Sequence, residues 1–158
     1  MKVEELMTRD VRFCRPQTNL SEAVSIMWDA DCGCLPVIDE GGRVTGMITD
    51  RDIAIAVATK GRLSSEIPAN EVISGQVYAI SPNEDIKSAL NTMRLGRVRR
   101  IPVTIEDGKL VGMLSFNDIA LRAVEVNSRY NPDYTYHDLV SAFREICEHR
   151  TQHAAARA

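Results

Sequence analysis

The 158-residue chain carries 19 Lys plus Arg against 22 Asp plus Glu, a formal charge of −3, and is 44% hydrophobic and 26% charged. That is the balance of a globular domain. Its longest apolar run, residues 53–58, falls far short of the ~20 residues that span a bilayer, and the first residues hold no apolar signal core. There is no Lys/Arg-rich stretch to bind nucleic acid, so the expectation is a cytoplasmic protein that engages neither membrane nor nucleic acid, with Cys14, Cys32, Cys34 and Cys147 reduced.

Sliding the chain by 66 positions aligns residues 1–60 with 67–126 without a gap. Pro16 meets Pro82, Ala23 meets Ala89, Met27 meets Met93, and Pro36-Val37 meets Pro102-Val103. Gly46-Met47 meets Gly112-Met113, and Asp52-Ile53-Ala54 meets Asp118-Ile119-Ala120. The chain is an internal duplication.

Each copy starts with a short predicted helix, over residues 3–7 or 71–74. A strand follows over 11–14 or 77–80, stopped by Pro16 or Pro82. Asn19 and Asp85 are candidate N-caps, with Glu22 completing a capping box in the first copy. Behind them Leu20, Ala23, Val24 and Met27, and then Ile86, Ala89, Leu90 and Met93, keep the spacing of a helix with one apolar face. Strands over 35–38 and 101–105 turn through Gly41-Gly42 or Gly108 into strands over 44–48 and 110–114, and a last helix begins near Arg51 or Asn117. The order is β-α-β-β-α twice, an α+β fold divided as residues 1–62 and 67–127. Beyond the repeat, Asn131-Pro132-Asp133 breaks the chain before a helix over 136–149. Its stripe of Leu139, Val140, Phe143, Ile146 and Cys147 must be covered; residues 128–158 form an extension whose last eight residues fray.

A unit of ~60 residues buries little surface alone. Two copies are expected to pack with pseudo-two-fold symmetry, leaving two equivalent clefts at their junction. The β-α-β-β-α order, the Leu/Ile-Pro-Val strand, and Gly-x-x-Thr/Ser-x-x-Asp at Gly46–Asp52 and Gly112–Asp118 resemble a tandem pair of CBS domains, a Bateman module. The resemblance covers about residues 1–126 and implies a regulatory protein without catalysis that binds AMP, ADP, ATP, NAD or S-adenosylmethionine. A helix N-terminus with free N–H groups suits a phosphate, a Thr or Ser hydroxyl there can touch the ligand, and an Asp one turn on can accept ribose hydroxyls. The same Thr-x-x-Asp is also a capping box, and the roles can coexist.

Carried over from the family, cleft A joins Thr49, Arg51 and Asp52 to Ser74, Val77, Arg99, Arg100, Ile101 and Pro102 of the other copy. Cleft B joins Ser115 and Asp118 to Thr8, Val11, Gly33, Cys34, Leu35 and Pro36. Where cleft A has Arg51, Arg99 and Arg100, the aligned positions of cleft B are Asn117, Gly33 and Cys34, so cleft A is expected to be the better phosphate site. An alternative is a thiol or metal sensor using Cys14, Cys32 and Cys34. However, Cys-x-Cys with distant His137, His149 and His153 lacks zinc spacing. No nucleophile elbow, Walker loop or dinucleotide fingerprint is present. Spare helical apolar surface points to a homodimer and leaves room for a protein target.

Overall fold

Asn19 accepts the Glu22 N–H at 3.0 Å and starts α1 (Leu20–Asp29), which turns Leu20, Ala23 and Met27 inward. The antiparallel hairpin β1 (Cys34–Ile38) and β2 (Val44–Thr49) follows, then α2 (Asp50–Lys60). The second repeat gives α3 (Ile86–Gly96), β3 (Arg100–Thr104), β4 (Leu110–Ser115) and α4 (Phe116–Glu125), with the same register and the same irregularity near the hairpin end. Last comes α5 (Tyr136–Cys147). The computed structural model describes residues 1–73, 76–125 and 134–147.

The predicted first strands shrink to single bridges. Cys14 pairs in parallel with Val37, and Ile80 with Val103. Pro16 and Pro82, two positions on, have no N–H with which to extend the ladder. The predicted helix at 71–74 is instead a 3-10 turn at Ala69–Glu71, in register with its counterpart at Val3–Glu5.

The opening segments of the two repeats change places. Val3 and Met7 lie in the core of the second repeat with Ile86, Leu90, Met93, Ile101 and Leu114. Ile67 and Ala69 lie in the core of the first with Leu20, Leu35, Ile48 and Ile53. Backbone bonds fasten each exchange. The Val3 N–H donates to the Glu84 carbonyl and Thr8 exchanges two bonds with Met113, while the Leu20 N–H donates to the Ile67 carbonyl. Neither core closes without the other repeat.

Gly46 and Gly112 make that crossing possible. A methyl placed at Gly112 would lie 2.6 Å from Met7 Sδ, and one at Gly46 would lie 2.8 Å from Ile73 Cδ1. Met7 and Ile73 are themselves one repeat length apart, so the motif glycine is a docking place for the exchanged segment.

The helix α5 packs along α3. Leu139, Ala142 and Ile146 are buried beside Leu90, while Phe143 meets Phe116 at 5.4 Å between ring centres. The expected stripe is therefore corrected. Val140 is 60% exposed and Phe143 45%, and Cys147 is exposed. The inward arc runs 139–142–146, where small Ala142 admits close approach of the two helices. Among the described residues nothing in the first repeat takes the place of α5: Val24, aligned with buried Leu90, is 44% exposed, and Trp28 is 85% exposed.

Candidate ligand clefts between the repeats

Strand alternation sorts the motif residues. Leu35 and Ile48 in one sheet, and Ile101 and Leu114 in the other, point into the cores and are wholly buried. The opposite face of each hairpin carries Cys34, Pro36, Met47 and Thr49, or Arg100, Pro102, Met113 and Ser115. Those two faces look at each other across the pseudo-two-fold axis. Arg43 bridges directly to Lys109, its own repeat equivalent, as only residues beside such an axis can.

Cleft B is a cavity of about 310 Å³ that brings together Thr8, Val11, Cys34, Pro36, Ser115 and Asp118. Of the residues expected there, Leu35 faces the core instead, and Gly33 lines cleft A. Cleft A, also about 310 Å³, brings together Thr49, Arg51, Arg99 and Arg100 with Gly33 and Cys34. Asp52, Val77 and Pro102 do not line that cavity, and Ile101 is in the core. Ser74, which would stand where Thr8 stands in cleft B, lies outside the described residues.

Both motif pairs form capping boxes of one geometry. Asp52 Oδ2 accepts the Thr49 N–H at 2.9 Å and the Thr49 hydroxyl at 2.6 Å, and Thr49 Oγ1 accepts the Asp52 N–H at 3.2 Å. Ser115 and Asp118 repeat this at 2.8, 2.7 and 3.1 Å. The same arrangement recurs a third time, at Thr135 and Asp138 on α5, away from either cleft. Capping is thus the common property of the motif. In all three, Oδ2 takes the cap bonds, leaving a carboxylate oxygen at Asp52 and Asp118 outside the cap.

The N-terminus of α2 departs from expectation. The Asp50 N–H donates to the Gly33 carbonyl, the Arg51 N–H to Asp50 Oδ1 and the Asp52 N–H to Thr49. In α4 the Phe116 N–H donates to the Arg99 carbonyl and the Asp118 N–H to Ser115. The helix ends spend most of their leading donors on the protein itself, so an anion here has to be held chiefly by guanidinium groups.

Those groups are unevenly placed. Cleft A is lined by Arg51, Arg97, Arg99 and Arg100 against one carboxylate, Asp50. Cleft B holds Arg12 and Arg100 against Asp10, Asp31 and Asp118. The positions of cleft B aligned with the arginines of cleft A carry no positive charge, as expected, but cleft B gains positive charge from other positions. Comparison of equivalent positions in the two repeats missed Arg12 of the first repeat and Arg100, which pairs with Ser115 across the second hairpin and lines both clefts.

Burial pushes the Cys14 and Cys34 thiols up to about 11, with Arg100 pulling the other way at Cys34. The Cys32 thiol rests 3.4 Å from the Cys34 carbonyl. Among the described residues no group of three or more His, Cys, Asp or Glu is arranged to hold a metal ion, and no helix is long and apolar enough to cross a membrane.

The family model described as CBS domain matches residues 3–59 and again 69–125. The chain is 32% identical over 126 residues to the CBS domain-containing protein YhcV of Bacillus subtilis, covering 80% of this chain and 88% of the relative. It is also 32% identical over 143 residues to Hypoxic response protein 1 of Mycobacterium tuberculosis, covering 90% and 92%. A crystal structure of that protein with two coordinated zinc ions superposes with a TM-score of 0.70 over 77% of this chain and 98% of its own. The CBS pair of protein MJ0100, solved with 5′-methylthioadenosine and S-adenosyl-L-methionine, shares the fold at a TM-score of 0.70 and 22% identity, over 77% of this chain and 94% of its own.

Proposed function

The chain belongs to the CBS-domain family as a tandem pair, and from that premise we propose that it is a regulatory module whose clefts bind an adenosyl nucleotide, AMP, ADP, ATP or NAD, and whose geometry or partner contacts change on binding. The observation that carries this reading is the pair of facing clefts, each joining a capped helix start in one repeat to a Pro-containing strand and at least one arginine of the other. Ribose hydroxyls meet the Asp118 carboxylate oxygen outside its cap, which lines cleft B; Asp52, which does not line the cavity of cleft A, is given the same role by repeat equivalence with Asp118. Phosphates meet the arginines. The same fold holds adenosyl ligands in the MJ0100 pair. A ligand bridging the repeats shifts their geometry only as far as it binds one shape better than the other.

With four arginines and one aspartate, cleft A is the phosphate site; cleft B, of mixed charge, suits a less anionic ligand. At limiting AMP, occupancy concentrates beside Thr49, and binding there weakens as salt is raised. Thermal-shift and calorimetric screening of AMP, ADP, ATP, NAD and S-adenosylmethionine tests the reading. A ligand at 100 times its Kd stabilises by about 2.7 kcal/mol. If none of the five raises the melting temperature, the proposal fails.

The thiol-sensor reading has less behind it. Cys14 sits in an apolar core, and burial disfavours the reactive thiolate at both Cys14 and Cys34. The zinc ions belong to the Mycobacterium tuberculosis relative. A homodimer and a protein target complete the proposal. The exposed apolar face of α1 is where a second copy docks.

A further inference from the structure

Two residues line both clefts: Cys34 and Arg100. They are repeat equivalents, each the first residue of its strand, and so they flank the pseudo-two-fold axis and form the partition between the cavities. A side chain on such an axis belongs to both sites at once. In a true two-fold, the pair would be two cations or two thiols. Here the duplicated position has diverged, leaving one cation at the partition for two ligand sites.

We propose that Arg100 couples the clefts, serving as an anion ligand for either one but not both, so that an anionic adenosyl ligand in one cleft weakens the binding of a second in the other. The proposal rests on the adenosyl-nucleotide reading above and adds linkage between its two sites. Three observations support it. First, Arg100 makes no hydrogen bond or salt bridge through its side chain among the described residues, so no carboxylate pins it to one side. Second, it is half-buried between two cavities of equal size, where one guanidinium cannot form bidentate contacts in opposite directions. Third, the residue facing it is a buried thiol, kept neutral by its surroundings, which offers no substitute charge to the cleft that Arg100 leaves.

Coupling of this kind is reciprocal. It is also specific to charge: a ligand without phosphate makes no claim on the guanidinium. The difference in intrinsic affinity between the clefts is a separate matter and does not produce linkage.

The test is calorimetry on the full chain with AMP and with adenosine as probes. Asp118→Ala weakens cleft B and Asp52→Ala weakens cleft A, each by the roughly 10- to 150-fold expected for loss of the ribose acceptor, so that the constant of the other cleft is read alone at low ligand. Asp118→Asn and Asp52→Asn serve if the alanine variants fail to fold. The expected result is that the product of the two AMP association constants of the unmodified chain is about 5- to 150-fold smaller than the product of the two single-cleft constants. For adenosine the two products agree. In Arg100→Gln the AMP products also agree, although AMP binds more weakly. AMP products that agree in the unmodified chain, or a shortfall that persists in Arg100→Gln or appears equally with adenosine, overturn the coupling while leaving nucleotide binding in place. Absence of AMP and adenosine binding in every variant and in the unmodified chain overturns the underlying reading together with the coupling.

Discussion

At the residue scale, the carboxylates of Asp52 and Asp118 cap their helices, and the proposal gives each a second job as a ribose acceptor. Removing the side chain takes away the cap acceptor, which costs about 1 kcal/mol of stability, and also the ribose acceptor, which costs roughly 1.5–3 kcal/mol, or about 10- to 150-fold in affinity. The third capping box supplies the control. Asp138→Ala is expected to lose a similar amount of stability in urea titration and to bind AMP unchanged, whereas Asp52→Ala and Asp118→Ala lose both stability and the affinity of their own cleft. If all three leave nucleotide affinity alike, capping is the whole role of the motif. The thiols give a second residue-scale expectation. With Cys14 and Cys34 raised to about 11 by burial, the thiolate is scarce at pH 8. Ellman's reagent at that pH is expected to react first with exposed Cys147, and with Cys14 and Cys34 only after denaturant is added. Equal rates at all four cysteines would contradict the buried placement.

At the scale of elements, the exchanged segments decide which repeat a mutation damages. Ile67 belongs to the second copy by sequence but is wholly buried in the first repeat's core. Ile67→Ala is expected to cost about 2–5 kcal/mol and, in native-state hydrogen exchange, to lower protection in β1 and β2 before β3 and β4. Loss confined to β3 and β4 would refute the exchange. The helix α5 shows the converse, an element that the duplication does not contain yet which completes one copy only. By covering Leu90 it buries in the second repeat a surface that the first leaves open at Val24.

At the scale of the whole molecule, that open surface is the argument for a second copy. Val24 and the chain's single tryptophan, Trp28, expose a patch on α1 beside the groove toward α2. Two-fold pairing is the commonest way to cover such a face. Light scattering at micromolar concentration is expected to give twice the 17.6 kDa of the chain. Val24→Glu is expected to give the monomer, with Trp28 emission shifting to the red as the ring returns to water. A 17.6 kDa species alone in the unmodified protein, with Trp28 emission already at its solvent-exposed wavelength, would rule the dimer out.

The duplication, the α-β-β-α part of each copy and the α+β class were legible in the sequence because they depend on local rules, whereas the expected opening strands are single bridges. Apolar residues at helical spacing behind Asn19 and Asp85, and short runs over 35–38 and 101–105 that turn through glycine into a second strand, act within a few residues of themselves. The motif residues were legible too, as caps. What the sequence could not state was which side of a strand faced a cleft. Leu35 and Ile101 were expected beside the ligand, and the pleat turns them into the cores, because strand register and not motif membership decides the face. Nor could it place Arg12 and Arg100 in cleft B. Aligning the repeats pairs each position with its equivalent, whereas the clefts are built across the axis from positions that are not equivalent, including segments that have crossed from one repeat to the other. Local chemistry set the elements of each copy. The charge of each cleft was decided only when the two copies packed, because it depends on side chains far apart in sequence that meet at the axis.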